Sequence, residues 1–318
     1  ITKINDDYFV MPDDDIVIRA KWAKLSISKS MDGIVSEQED PIMKGQDWWP
    51  SSLDKSTVTS IVTKDNTEIP ATATSSWNVD VNDIGSVVAY LEDDGSGNGY
   101  YKVTIGGDGG IIANPDCSYL FSSFRRLNHI DLTYLDTSQV TNMSRMFSNL
   151  MLLGANLSLD LGMFDTSNVV DMSFMFSQST AIIDLNITGF DTSNVTNMSG
   201  MFYALPLLKN IEFGEKWDTS KVTNMSQMFQ SCNNLVELDL SGFDTSNVTN
   251  MSQMFYGCYQ LSYLDMRNAV FNATEYDDMF LQTLTPVSIT VLVGDNEARN
   301  WIQLRLDESG RSSIVSVV

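Results

Sequence analysis

The side chains that could perform catalysis are too few and too scattered in this sequence to build the common catalytic centres. The only histidine is His129, and the cysteines are Cys117, Cys232 and Cys258. A Ser-His-Asp triad needs a histidine between a nucleophile and a carboxylate, and a zinc site needs several histidine or cysteine ligands. We therefore expect no catalytic residues and no metal site built from these ligands.

Carboxylates are plentiful, and a pair of them could in principle hydrolyse a glycosidic bond. The chain has 41 Asp and Glu against 19 Lys and Arg, a formal net charge of -22. This charge repels nucleic acid phosphates and anionic lipids, and the sequence lacks the run of about 18 apolar residues that spans a membrane. We expect neither nucleic acid binding nor direct membrane insertion.

The carboxylates recur at regular spacing because the sequence consists of repeats. Asp244 to Phe255 reads DTSNVTNMSQMF, and close copies begin at Asp136, Asp165, Asp191 and Asp218. A phenylalanine closes each unit, at Phe121, Phe147, Phe176, Phe202, Phe229, Phe255 and Phe280, with steps of 25 to 29 residues. Periods of about 20 to 50 residues are typical of stacked supersecondary units.

Each repeat has a pattern that predicts a short helix followed by a short strand. Val248, Met251, Met254 and Phe255 share one helical face, after an Asp-Thr-Ser opening that is typical of helix N-caps. The opening aspartates are expected to cap helices or nearby backbone N–H groups rather than to bind ligand. A three-residue alternating segment such as Leu238-Asp239-Leu240 then predicts a strand whose middle residue faces outward.

These features predict an α/β repeat fold, a leucine-rich-repeat solenoid with a parallel β-sheet on its concave side, preceded by a small β-rich N-terminal cap region. The segment Phe229 to Ser246, with FxxCxxLxxLDLSGFDTS spacing, resembles the BspA-like leucine-rich repeat family of bacterial surface proteins in its 26-residue class. The resemblance covers roughly Trp77 to Val318. It implies secreted or wall-attached bacterial proteins, many of them adhesins, without catalytic residues or a cofactor, and it names no ligand.

The chain divides by pattern into four parts. Residues 1–24 read as the strand remnant of a β module, because Ile16 to Trp22 alternates, and the segment resembles the end of an internalin-type B repeat. Residues 25–116 are predicted to form a β-rich N-terminal region and cap, with a hairpin of Ser86–Leu91 and Tyr100–Ile105. The repeats occupy 117–286, and 287–318 form a C-terminal cap with a helix that begins after Asp295.

Cys232 and Cys258 occupy the same position in successive repeats, three residues after the closing phenylalanine. Equivalent positions in neighbouring strands lie about 5 Å apart, which a disulfide could bridge. A free thiol that serves as a small apolar filler is the favoured alternative.

The outward positions of the predicted strands form the candidate binding site. These positions are largely acidic, and the candidates are Asp131, Asp160, Asp184, Glu212, Glu237, Asp239, Tyr263 and Asp265. The simpler explanation is a well-hydrated surface that prevents aggregation. The functional one is a surface that holds a basic patch of another protein, or calcium.

The sequence as a whole favours a non-catalytic, adhesin-like binding module of the bacterial cell surface, secreted or attached to the cell wall. It would recognise an extracellular host or bacterial protein, or a glycan, through its repeat surface. The alternative is a carbohydrate-binding or carbohydrate-active accessory protein that stacks sugars on Trp48, Trp49 and Trp77. Adjacent tryptophans are more often a packed corner. A passive spacer is a third option.

Overall fold

The structure, a computed structural model, describes residues 2–5, 8–10, 41–151, 157–209, 211–281, 288–310 and 313–318. The chain divides into two compact units, Ile1–Gln38 and Glu39–Val318. In the first unit, β1 (Thr2–Asn5) pairs antiparallel with β2 (Tyr8–Val10). The predicted strand from Ile16 to Trp22 lies outside the described residues.

The second unit begins with a β-rich region. Its strands are β3 (Val58–Lys64), β4 (Ser75–Asn78), β5 (Val87–Asp93), β6 (Tyr101–Gly107), β7 (Ile111–Ile112), β8 (His129–Asp131) and β9 (Leu135–Asp136). Five of them form one sheet in the order β4-β5-β6-β3-β8. The antiparallel pairing of β5 with β6 confirms the predicted hairpin. Because β8 belongs to the first repeat, this sheet joins the N-terminal region to the repeats.

The loop before β5 is organised by one buried carboxylate. Asp80 is 1% exposed, and its two oxygens accept hydrogen bonds from the backbone N–H groups of four residues in the loop that follows. Burial desolvates the Asp80 carboxylate and raises its pKa, but the four N–H donors together outweigh this effect, so the pKa lies below its ordinary value.

Replacing Asp80 with Asn should destabilise the protein by about 2 kcal/mol at pH 7, because an amide presents one acceptor oxygen where the carboxylate presents two. A carboxylate whose pKa is lower in the folded state stabilises the fold above its unfolded pKa of about 4 and loses that contribution as pH falls through the folded pKa. The stability difference between Asp80→Asn and wild type should therefore shrink below about pH 4. Urea unfolding of both proteins at pH 7 and pH 3 measures the difference in unfolding free energy. A difference that does not depend on pH would contradict the stabilising role of the ionised Asp80 carboxylate.

The helices predicted within the repeats are wrong. The six repeats closed by Phe121 to Phe255 instead each hold two residues with positive φ, four positions apart, between 55° and 74°, as at Arg145 and Asn149 or Gln227 and Ser231. These left-handed residues interrupt a helix at every turn. The alternate N–H groups of Met143, Arg145 and Phe147 donate to carbonyls of the next repeat, each over 2.9 Å. The backbone therefore bonds across repeats and not along a helix.

The strand segments of the repeats do not form one sheet. β10 (Leu157–Asp160) pairs with β11 (Ile182–Asn186) alone. A separate sheet contains β12 (Glu237–Asp239), β13 (Tyr263–Met266), β14 (Ile289–Val293) and β15 (Ser313–Val317). Ile211–Phe213, predicted as a strand, is not one. Since the described strands fall into five separate sheets, the predicted leucine-rich-repeat solenoid with a parallel sheet on its concave side is wrong.

The interruptions coincide with changes in repeat length. The step from Phe202 to Phe229 is 27 residues, and the step from Phe147 to Phe176 is 29, against 26 for the DTSNVTNMSQMF copy ending at Phe255. The insertions do not turn the strand side chains to the other face, because Asp160 and Glu212 are exposed like Asp239. The strand pairing nevertheless stops beside the repeats that carry them.

Neighbouring repeats still contact each other through a row of phenylalanines. Their rings are fully or almost fully buried, and adjacent centroids lie 5.3 to 6.0 Å apart from Phe121 through to Phe280. Single parallel bridges also join Asn142, Asp171, Asn197, Asn224 and Asn250 in series. The predicted inward positions Val248, Met251, Met254 and Phe255 are confirmed as core, although their backbone is not helical.

The helix predicted to begin after Asp295 is confirmed. Asp295 accepts a hydrogen bond from the backbone N–H of Ala298 and so caps α1 (Asn296–Glu308), the one α-helix among the described residues. The helix buries Ala298, Ile302 and Leu306. It connects β14 to β15, which pair in parallel.

Ala204→Gly should stabilise the protein by about 0.5 to 1 kcal/mol, because Ala204 has a φ of 55° that glycine adopts without steric cost. The equivalent position of a later repeat is already Gly257, with a φ of 74°. Ala181→Gly is the control. Ala181 is buried outside a left-handed position, and its replacement should destabilise the protein by about 1 kcal/mol, because glycine gives the unfolded chain more conformational freedom. Urea unfolding of both variants measures the pair, and a loss of stability in Ala204→Gly would contradict the argument.

Candidate functional site

Six of the eight predicted site residues form an exposed set, which we call the acidic row: Asp131, Asp160, Asp184, Glu212, Glu237 and Asp239. Four of them are the middle residues of the three-residue segments that follow the closing phenylalanines, and Asp184 and Glu237 each directly precede such a segment, on or beside β8, β10, β11 and β12. Tyr263 is half-buried on β13. The acidic row is therefore available to a partner.

Most aspartates of the acidic row also shape the turn that follows them. Asp131 accepts a hydrogen bond from the N–H of Thr133, Asp160 from that of Gly162, and Asp239 from that of Ser241. The hydroxyl and N–H of Thr133 lower the pKa of Asp131 below its usual range. A carboxylate has about four lone-pair positions, so one turn bond leaves acceptor capacity for a ligand.

Side chains on β10 and β11 are linked across the strands. Ser158 Oγ donates to Asp184 Oδ2 over 2.9 Å, and Asn186 Nδ2 donates to Asp160 Oδ1 over 2.8 Å. These bonds place neutral donors between the carboxylates. The repulsion expected for stacked like charges is reduced here, because Ser158 and Asn186 separate Asp160 from Asp184.

Asp265 departs from its predicted place. Its side chain was expected to face outward, but Asp265 is 2% exposed and both its carboxylate oxygens accept bonds from Arg267 Nε at 3.0 Å. The Arg267 side chain holds the pKa of Asp265 below its usual range. Asp265 is therefore a partner of Arg267 and is not part of the acidic row.

The aspartates that open the repeat blocks cap turns and not helices. The shared pattern is a bond from the N–H of the serine two residues later, at Asp136, Asp165, Asp191, Asp218 and Asp244. The predicted use of these aspartates for nearby backbone N–H groups is confirmed, whereas their predicted use as helix caps is wrong.

The structure adds a cavity that we did not predict. A cavity of about 450 Å³ lies beside Ile211–Phe213, and it is lined by Glu212 and Asp239 of the acidic row together with Phe213, Trp217 and Phe243. The ring centroids of Phe213 and Trp217 are 4.7 Å apart, and those of Phe213 and Phe243 are 4.9 Å apart. An aromatic cluster with two carboxylates therefore borders one space, which we call the 217 cavity.

Trp217 has an unusual polar atom. The residue is 8% exposed, and its Nε1 is buried without a hydrogen-bond acceptor among the described residues. Leaving a buried donor unsatisfied costs about 1 to 3 kcal/mol. Two features of the sequence mark the position of the 217 cavity. Trp217 stands where other repeats have Phe190 and Phe243, and its repeat is one residue longer than the copy ending at Phe255.

Trp48, Trp49 and Trp77 form a packed corner. Trp48 is 1% exposed and donates from Nε1 to the carbonyl of Leu120, while Trp77 Nε1 donates to the carbonyl of Trp48. The Trp48 and Trp49 rings also lie 6.0 and 5.0 Å from the ring of Phe124. The favoured packing interpretation is confirmed, and the Trp48 ring is not a surface on which a sugar could stack.

The three cysteines are free and buried, which confirms the interpretation of Cys232 and Cys258 as unbridged filler. Their Sγ atoms lie 3.1 and 3.0 Å from the carbonyl oxygens of Phe202 and Phe229. Ser179 occupies the same position two repeats before Cys232 and donates to the carbonyl of Phe147. Burial raises the pKa of Cys117 to about 12 and that of Cys232 well above its ordinary value.

A thiol reagent should therefore label none of the three cysteines in the native protein between pH 7 and pH 9, because the reactive thiolate is suppressed by burial. After denaturation without a reductant, all three should react. Colorimetric thiol titration counts the reactive thiols in the native and in the denatured protein. Only one reactive thiol in the denatured state would show that two cysteines are bridged, against the geometry.

Neither a metal centre nor a membrane span is found in the described part of the chain. No group of three or more His, Cys, Asp or Glu side chains there is arranged to hold a metal ion. Among the described residues, no helix has the length and apolar character needed to cross a bilayer.

Comparison with known proteins gives one family. A search of curated proteins and a search of solved structures returned no match. Residues 115–213 and 183–287 match the family described as "Mycoplasma protein of unknown function, DUF285". These two overlapping matches cover the repeats and together span more than half of the chain, so the protein belongs to the DUF285 family.

Proposed function

We propose that this protein is a non-catalytic, adhesin-like binding module of the bacterial cell surface that recognises a basic protein partner through the acidic row. The observation that carries the proposal is the exposure of six carboxylates at the two outward strand positions of five successive repeats. A positive patch on a partner would complement this row, and such complementarity raises the association rate and sets the register of binding.

Two further observations support the proposal. The chain has a formal net charge of -22, which attracts basic proteins at long range. The resemblance of the repeats to BspA-like surface proteins favours an exported location and a binding role. The carbohydrate alternative is less favoured because Trp48, one of its three proposed stacking residues, is buried.

The test compares two triple variants that change the net charge equally. The first, Asp160→Asn, Glu212→Gln and Asp239→Asn, neutralises part of the acidic row, and the asparagines keep an oxygen for the turn bonds. The control, Asp47→Asn, Glu68→Gln and Glu297→Gln, neutralises three exposed carboxylates elsewhere. Each protein is measured for binding to poly-L-lysine over a range of salt concentrations.

The row variant should bind about tenfold more weakly than wild type, because an exposed ion pair contributes about 0.5 kcal/mol and a tenfold change equals about 1.4 kcal/mol. The affinity of the control variant for poly-L-lysine should change by less than about twofold if binding depends on the acidic row. An equal loss in both variants would show that net charge alone attracts the probe and would overturn the proposal. Selective binding on a glycan array by wild type, without poly-L-lysine binding, would favour the carbohydrate alternative instead.

A further inference from the structure

The 217 cavity lies where the repeat pattern fails in three independent ways. The repeat around it is longer than the copy ending at Phe255, Ile211–Phe213 is not a strand, and tryptophan stands where neighbouring repeats have phenylalanine. If the cavity were only a packing defect, neighbouring side chains would be expected to fill it, or its aromatic side chains would become exposed to solvent. Here Trp217 and Phe243 remain 8% and 2% exposed, so these two side chains stay inside the protein, whereas Glu212 and Asp239 line the same cavity of about 450 Å³ from its exposed side.

The glycines of this region show that the space is specific to one pair of repeats. A Cβ added at Gly189 would collide with the carbonyl of Gly162, and a Cβ at Gly214 would collide with the carbonyl of Thr188. A Cβ at Gly242, which lines the cavity, would meet nothing within 4 Å. The preceding repeats are packed backbone against backbone here, whereas Gly242 is exposed and lacks such a contact.

The walls define the chemistry of a ligand. The half-buried ring of Phe213, with Trp217 and Phe243 packed against it, can attract a flat or cationic group, and Glu212 and Asp239 supply negative charge at the same cavity. A planar guanidinium stacks on aromatic rings and pairs with carboxylates through two N–H bonds.

We propose that the 217 cavity binds an arginine side chain of the partner protein. This inference rests on the proposed function, since it names the group by which a basic partner is anchored to the acidic row. The volume falls within the range of about 300 to 1,000 Å³ that is usual for sites of small ligands. Anchors of this kind, arginine among them, contribute most of the binding energy at protein interfaces.

The experiment uses the whole chain, with isotope-labelled indole nitrogens, and titrates two peptides. The probe is acetyl-Gly-Arg-Gly-amide, and its control replaces arginine with citrulline, which has nearly the same shape without charge. The chain has six tryptophans, and the Trp217 signal is the one missing in Trp217→Phe. That variant restores the residue type found at Phe190 and Phe243, so its thermal midpoint should stay close to that of wild type.

The arginine peptide should shift the Trp217 signal at millimolar concentration, and the citrulline peptide should need about ten times more. The double variant Glu212→Gln, Asp239→Asn should weaken arginine binding by about tenfold, and Gly242→Leu, which fills the cavity, should abolish it. The proposal is overturned if the Trp217 signal does not move, or if both peptides move it equally.

Failure of this inference can be distinguished from failure of the proposed function by poly-L-lysine binding to the same proteins. If the protein binds poly-L-lysine but not the arginine peptide, only the proposal that the 217 cavity binds arginine is rejected. If the arginine peptide shifts the Trp217 signal but the protein does not bind poly-L-lysine, the acidic row is rejected as the partner surface, and the 217 cavity remains an arginine site.

Discussion

Phe229→Ala is expected to destabilise the protein by about 3 to 5 kcal/mol, the usual cost of removing a buried phenylalanine ring. Phe229 lies inside the row of phenylalanines, with its ring centroid 5.4 Å from Phe202 and 5.9 Å from Phe255. The residue has no exposed surface. Truncation therefore removes stacking contacts on both sides and leaves a cavity between two repeats.

Urea unfolding followed by far-ultraviolet circular dichroism measures this loss. Phe229→Leu is the matched control, since leucine fills much of the volume without a ring, and it should lose less than half as much stability as the alanine variant. A loss below about 1 kcal/mol in Phe229→Ala would mean that the repeats do not depend on the row of rings.

Gly189→Ala should destabilise the protein by about 3 kcal/mol or more, at the upper end of the usual cost of overpacking. The added Cβ would collide with the carbonyl oxygen and carbon of Gly162, which are backbone atoms that cannot rotate away. Neither Gly189 nor Gly242 has a positive φ, so backbone preference does not separate them. The difference between them lies in the neighbouring repeat.

Gly242→Ala is the matched variant at the corresponding position, with nothing within 4 Å of the added Cβ. It should be neutral, or stabilising by up to about 1 kcal/mol because alanine restricts the unfolded chain. Thermal unfolding of the two variants gives the comparison. Similar midpoints for both would show that the repeats are not in close backbone contact at Gly189 and would also remove an argument for the 217 cavity.

The buried residues of the repeats could be predicted from the sequence, but their backbone could not. The spacing of Val248, Met251, Met254 and Phe255 indicated the inward set correctly, because hydrophobic spacing reports burial. The same spacing suggested a helix. Nothing in residues such as Arg145 or Gln227 signals a left-handed φ, since their conformation is imposed by hydrogen bonds to the next repeat.

The candidate site was predicted in part for a similar reason. Alternation placed Asp131, Asp160 and Asp239 on the exposed side, as found. It could not show that Asp265 would be covered, because that depends on the side chain of Arg267 two residues later. The 217 cavity depends on contacts between two repeats, so only the inserted residue and the tryptophan marked its position in advance.

The methionines of the repeats also have a chemical consequence. Met225, Met228, Met251 and Met254 have no exposed surface, whereas Met163 is 61% exposed. Oxidation to the sulfoxide requires access to the sulfur, so a mild oxidant would consume Met163 first and reach the others only when neighbouring repeats separate. The rate at which sulfoxide accumulates at Met228 or Met251 would thus report how often neighbouring repeats separate in the folded protein.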